Sequence, residues 1–151
     1  MKILVSACLL GVPCRYDGAA KASAEMAGLL ERHTCIPICP EQLGGLSTPR
    51  LPSERRGDGV FAKDGADVTA QFRRGAEVTL QIARLYGCQA AVLKEKSPSC
   101  GAGVIHNGRF DGGLVDGDGV AAALLAENGI PVYGESRIGE LLAAVETTKR
   151  S

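Results

Sequence analysis

Aromatic residues are the scarcest class in this chain: three Phe, three Tyr and no Trp make up 4% of 151 residues. Proteins that hold single-stranded nucleic acid stack bases on such rings, so the composition argues against that function. An excess of one charge is missing too, with 17 basic and 17 acidic residues and a formal net charge of +0. There is no basic footprint for nucleic acid and no like-charge tail. No apolar stretch approaches the roughly 20 residues of a membrane span. The apolar run Ile3 to Ala7 is shorter than the roughly 7–15 residues of a signal-peptide core. Val5-Ser6-Ala7-Cys8 therefore reads as the exit of a first strand rather than a lipoprotein cleavage site. No tight C-x-x-C pair is present, which removes the zinc-ribbon pattern. The glycine run from Gly112 to Gly119 does not follow a first strand, as a dinucleotide fingerprint must.

What the chain does have is six cysteines and a hydrophobic fraction of 45%. The length and that fraction suit one domain, residues 1–151, with a real core. A secreted disulfide scaffold would be smaller and richer in loops. The expected setting is the cytoplasm, where thiols stay reduced and available for a metal or for catalysis.

Strands are expected at Lys2–Ser6, Cys35–Ile38, Ala90–Leu93 and Ile130–Tyr133. The third is continuous and apolar, the mark of a strand buried on both faces, and Pro37 suits the second to a sheet edge. Helices are expected over Ala22–His33, with Met26, Leu29 and Leu30 on one side, and from an Asp67 or Thr69 cap to about Tyr86, with Gly87 as the stop. Phe72, Ala76, Leu80 and Ala83 form the inward stripe of the longer one. Two more run from Gly119 to about Asn128, capped by Asp118, and from a Ser136 cap to about Thr147. Glu41–Gly59 reads as irregular, and Asp64-Gly65 and Asn107-Gly108 read as hairpin turns. This alternation predicts an α/β fold: a Rossmann-like three-layer sandwich with a mainly parallel sheet of four or five strands, flanked by helices and carrying small hairpin insertions.

The chemistry concentrates where these strands end. Cys8, Cys39 and Cys100 each follow a different strand, at the carboxyl edge where open α/β sheets bind ligands. Three thiolates can hold zinc, usually with a fourth Cys or His, or an iron–sulfur cluster, which normally takes four cysteines. With three ligands one metal position stays open, and open positions are where catalysis happens. Cys14 is a possible fourth ligand, or a buried or redox thiol. Cys35 and Cys88 do not lie at that edge and read as core. Glu41 beside a metal can act as a general base, although a loop glutamate is ordinarily only solvated. Ser97 and Ser99 can hydrogen-bond a substrate or simply form a turn. Arg15, Tyr16 and Asp17 can orient a polar ligand or form a surface ion pair. His106 reads as structural.

Taken together, Ser6-Ala7-Cys8-Leu9-Leu10-Gly11, Arg15-Tyr16-Asp17-Gly18, Cys39-Pro40-Glu41 with Gly44-Gly45-Leu46, Thr48-Pro49-Arg50 and Lys96-Ser97-Pro98-Ser99-Cys100-Gly101 resemble one widespread bacterial family. It is the family long labelled domain of unknown function 523, which includes the thiouracil desulfidases, and the resemblance extends to about Ser136. It implies an enzyme with a 4Fe–4S cluster held by Cys8, Cys39 and Cys100. The fourth iron would take the sulfur of a small thiolated substrate, as in non-redox conversion of 2-thiouracil to uracil. Glu41 would be the acid–base residue, assisted by Ser97 or Ser99; the residues themselves offer Arg15, Tyr16 and Asp17 as substrate contacts. The rival reading is a non-catalytic metal or iron–sulfur protein, a sulfur carrier or redox sensor, in which Cys14 closes the site.

Overall fold

The computed structural model describes every residue except Lys21, Ser23 and Ser151, and only the backbone of residues 145–150. Its centre is a four-stranded parallel sheet of β1 (Lys2–Ser6), β2 (Thr34–Ile38), β5 (Ala90–Leu93) and β8 (Val132–Gly134), in the order β2-β1-β5-β8. Ile3, Leu4 and Val5 of β1 and Ala91, Val92 and Leu93 of β5 are fully buried, because both central strands are covered on both faces. Alternation along them sorts the core into two layers. Ile3, Val5, Ala90 and Val92 pack with Met26 and Leu29 of α1 (Met26–Arg32) and Ile138 and Leu141 of α5 (Ile138–Arg150). Leu4, Ala91 and Leu93 pack with Leu80 and Ala83 of α3 (Thr69–Tyr86) and Ala122 and Leu125 of α4 (Val120–Glu127). This is the expected α/β sandwich, and β2, which carries Pro37, is an edge strand.

Several local expectations give way. The first helix begins at Met26 rather than Ala22; no side chain caps it at Glu25, Leu30 is 53% exposed, and Ser23 lies outside the described residues. The stretch expected to be irregular holds α2 (Pro40–Leu43) and β3 (Ser53–Arg56). β3 pairs with β4 (Gly59–Ala62), so the tight hairpin turn is Gly57-Asp58. Asp64-Gly65 only turns the chain back to an isolated bridge between Phe61 and Asp67. Asn107-Gly108 does not make a two-residue turn either. β6 (Val104–His106) and β7 (Leu114–Asp116) are joined by a longer loop, because Glu54 Oε1 accepts the Gly108 and Phe110 N–H groups and holds it open. Gly119, not Asp118, occupies the cap position of α4, and Asp118 instead accepts the Gly103 N–H at 2.7 Å. At the last helix a short 3-10 turn, Glu135–Arg137, comes first, and the Ser136 N–H goes to Glu95. Val68 stands at the cap of α3, with the Asp67 carboxylate accepting the Thr69 N–H, while Gly87 closes the helix as expected.

Two contacts fix the loops at the carboxyl edge. α2 crosses α3 backbone to backbone: a Cβ at Gly44 would strike the Gln71 carbonyl, and one at Gly75 the Pro40 carbonyl. α4 begins against the loop after β5, where the N–H groups of Gly119, Val120 and Ala121 meet the carbonyls of Gly101, Pro98 and Ser99 at 2.7, 2.8 and 2.9 Å. The first donors of a helix have no partner of their own within it, and here the cysteine loop satisfies them.

Candidate active site

β1, β2 and β5 run parallel, so their carboxyl ends share one edge. A cavity of about 390 Å3 opens there, inside the roughly 300–1,000 Å3 range of small-molecule sites. Cys8 reaches it from a 3-10 turn directly after β1, Cys39 from the cap of α2 after β2, and Cys100 from the loop after β5. Cys14 lines it as well and is 3% exposed. Cys35 and Cys88 are absent from its wall; Cys88 is buried in the α3–α4 layer. All six cysteines are free.

Burial pushes the Cys100 thiol up to about 12, against the opposing pull of the Ser6 hydroxyl. Burial, and then the neighbouring sulfurs of Cys39 and Cys8, push Cys14 to about 12, and Cys8 is raised by burial and by Cys39. Cys39 Sγ lies 3.7 Å from the Cys14 carbonyl, and Cys8, Cys14 and Cys39 line the same cavity. At neutral pH the Cys8, Cys14 and Cys100 thiols stay protonated, so capture of a metal by them must release protons. Among the described residues no three His, Cys, Asp or Glu side chains are placed to hold a metal ion. The thiols instead line a void, and soft sulfur donors of this kind suit iron–sulfur centres.

Glu41 is fixed at both oxygens. Arg50 Nε donates to Oε1 at 3.0 Å, and Ser99 Oγ donates to Oε2 at 3.1 Å. Arg50 also donates to the Cys14 carbonyl at 3.0 Å and to Ser47 O and Thr48 Oγ1. One guanidinium therefore joins the α2 carboxylate to the Cys14 loop. The direction of the serine chain follows from counting hydrogens. Ser97 Oγ accepts the N–H groups of Ser99 and Cys100, both at 3.1 Å. With both lone pairs engaged, its one hydrogen goes to Ser99 Oγ at 3.0 Å, and Ser99 passes its own to Glu41. Ser99 is the serine that touches Glu41, and Ser97 organises the turn.

Arg15 and Tyr16 line the cavity, with the guanidinium 5.8 Å from the ring centroid. Asp17 does not: it is exposed and accepts the Ala19 N–H within its own turn. His106, read as structural, stands on the cavity wall, and its buried Nδ1 has no hydrogen-bond partner among the described residues. Sequence reasoning missed Arg50, Lys94 and Ser6. Lys94 Nζ pairs with Glu135 at 2.9 Å, tying the cysteine loop to the exit of β8. The Ser6-Ala7-Cys8 and Thr48-Pro49-Arg50 motifs contain two of them, but no spacing signal announces their roles, since Ser6 meets Cys100, Lys94 meets Glu135 and Arg50 reaches the Cys14 carbonyl only through the fold.

Comparison with known proteins agrees with this fold. A family model described as 2-thiouracil desulfurase matches residues 3–137. The solved structure of the 4Fe–4S-dependent thiouracil desulfidase TudS superposes with a TM-score of 0.88 at 48% identity, covering 97% of this chain and 98% of that one. The uncharacterised protein YbbK of Bacillus subtilis (strain 168) is 41% identical over 150 residues, which is 93% of this chain and 99% of the relative. No described helix is long and apolar enough to cross a membrane.

Proposed function

Because the chain belongs to the 2-thiouracil desulfurase family, we propose that it is a 4Fe–4S-dependent desulfidase acting on a small thiolated, pyrimidine-like substrate. The reaction type is 2-thiouracil and water to uracil and hydrogen sulfide, with no net redox change. The observation that carries this reading is the meeting of three strand-exit thiols with the Glu41–Ser99 pair on one cavity.

Cys8, Cys39 and Cys100 would hold the cluster, and the donor set fits in chemistry: three buried or half-buried free thiols, each from a different strand end. Bound, the cluster supplies a Lewis-acidic iron with an open position, suited to a soft thiocarbonyl sulfur. The protein's own part is positioning and proton transfer. Glu41, held by Arg50, takes a proton from the water that attacks the thiocarbonyl carbon. Ser99 orients that carboxylate through the hydroxyl chain from Ser97. Arg15 and Tyr16 line the approach to the sulfurs and offer a cation and a ring face to the substrate. A reducing, cytoplasmic setting suits these thiols.

Cys14, beside Cys39 and Cys8, supports the one rival: a closed, non-catalytic cluster protein. Anaerobic reconstitution decides between them, with iron, acid-labile sulfide and sulfide release from 2-thiouracil measured on one sample. The enzyme reading expects about four irons per chain together with uracil and sulfide in equal amounts. A full cluster with no sulfide release from any thiolated pyrimidine overturns it.

A further inference from the structure

Ser6 ends β1 on the cavity wall and is 2% exposed. The register of β1 with β5 runs from Ile3–Ala90 to Val5–Val92. Beyond it, the Lys94 N–H donates to the Ser6 hydroxyl at 2.9 Å instead of to a backbone carbonyl. That bond fills a lone pair and leaves the hydroxyl hydrogen free, and Cys100 Sγ lies 3.3 Å away. Accepting one hydrogen bond polarises a hydroxyl and strengthens the one it donates.

The other hydroxyl near this sulfur is Ser99, at 3.6 Å. A hydroxyl carries one hydrogen, and Ser99 directs it to the Glu41 carboxylate at 3.1 Å, the stronger acceptor. Ser97 cannot substitute, because its hydrogen goes to Ser99. Counting hydrogens leaves Ser6 as the hydroxyl donor to Cys100. Among the described residues no hydroxyl hydrogen bond reaches the sulfur of Cys8 or Cys39, and Cys39 Sγ itself donates to the Cys14 carbonyl at 3.7 Å.

Building on the proposed function, we propose that Ser6 is a positioning residue for the cluster: its buried hydroxyl donates to the Cys100 thiolate alone, so that the three sulfur ligands are electronically unequal. Hydrogen bonds to a ligating sulfur withdraw electron density from it, raise the cluster potential and sharpen the Lewis acidity of the iron. The sheet itself sets this bond, because the same Ser6 hydroxyl ends the β1–β5 ladder.

The test uses reconstituted holoprotein and reads the cluster's midpoint potential. Ser6→Ala shifts the potential to more negative values, Ser6→Thr, which keeps a hydroxyl, returns it toward wild type, and Ser99→Ala leaves it in place while lowering turnover. A Ser6→Ala potential equal to wild type overturns the assignment, as do equal shifts in the Ser6 and Ser99 variants. If Ser6→Ala holds no cluster, the wild type decides. Its Fe–S(Cys) resonance Raman bands move when the cluster is rebuilt in D2O, and unmoved bands overturn the assignment. Failure of the underlying reading looks different: a wild-type protein that takes up no cluster removes both claims together.

Discussion

The Ser99 hydroxyl and the Glu41 carboxylate meet at 3.1 Å across 58 residues of sequence, joining the cysteine loop after β5 to the helix after β2. The contact couples the residue assigned to proton transfer directly to the segment that carries Cys100.

From that contact follows the outcome for Glu41→Gln. The amide keeps the shape, and its one oxygen can still accept from Arg50 while its NH2 faces Ser99, yet it cannot take up a proton at neutral pH. We expect unchanged iron content and a drop in kcat of about 100-fold or more, the usual scale of general-base loss. Iron analysis beside sulfide release checks it, and full turnover in the variant would remove Glu41 from proton transfer.

Arg50 and Glu41 form an ion pair with side chains only 8% and 15% exposed. Removing one partner of a buried pair strands the other, at a cost of about 3 kcal/mol. Arg50→Ala should lose about that much in urea unfolding and should loosen the Cys14 loop, whose carbonyl it also holds. Arg50→Lys keeps the charge but not the fork, so its stability should fall between the two. An alanine variant as stable as wild type would refute the role assigned to Arg50.

The fold was legible where physics is local. β1 and β5 announce themselves as short apolar runs, and α3 by the spacing of Phe72, Ala76, Leu80 and Ala83, all buried. The parallel order then puts Cys8, Cys39 and Cys100 on one edge without further information. α2 and β3 were not legible, because each is four residues long and held by tertiary contact. The Gly44–Gly75 crossing and the pairing of β3 with β4 decide them. The Asp64-Gly65 signal lost to Gly57-Asp58 because β3 itself went unseen. In the site, the thiols could be read from strand ends. The choice of Ser99 over Ser97 could not, since it depends on which lone pairs the backbone has already filled.

Gly75 gives a packing prediction. A methyl there would meet the Pro40 carbonyl, so Gly75→Ala must separate α2 from α3. Overpacking of this kind costs about 1–3 kcal/mol, and the shift carries Cys39, Pro40 and Glu41 with it. We expect a lowered urea midpoint and a lower iron content after reconstitution, both measured on one preparation. Wild-type values for both would mean that the crossing is not a constraint on the site.

Glu95 supplies a pH dependence. Burial on its own raises a carboxyl, but hydrogen bonds from Ser136, together with Lys94 and Lys96, outweigh it and hold Glu95 below the ordinary value. A group whose folded pKa lies below its unfolded one stabilises the fold above the unfolded value, roughly 4.3 for glutamate. That stability is lost as pH falls through the lowered folded value. Urea stability should therefore decline below about pH 4.3, and Glu95→Gln should flatten part of that decline. Parallel curves for the two proteins would show that Glu95 does not contribute.

Cys14 decides whether the metal position is open. It lines the same cavity as Cys39 and Cys8, and burial with those neighbours pushes its thiol to about 12. Removing a ligand takes away both a charge and a bond from a cluster, whereas removing a bystander thiol takes away only packing. We expect Cys14→Ala to keep its iron and sulfide and to lose at most about 2 kcal/mol of stability, the scale of burying one small apolar side chain. Cys8→Ala, Cys39→Ala and Cys100→Ala should each lose iron and sulfide release together. The measurement is metal content by elemental analysis beside the cluster absorbance, all four variants reconstituted in parallel without oxygen. Retention of the cluster and of activity in Cys14→Ala leaves one iron free for substrate sulfur. Loss of the cluster in that variant would make Cys14 the fourth ligand, close the position at which a thiocarbonyl must bind, and favour the non-catalytic reading.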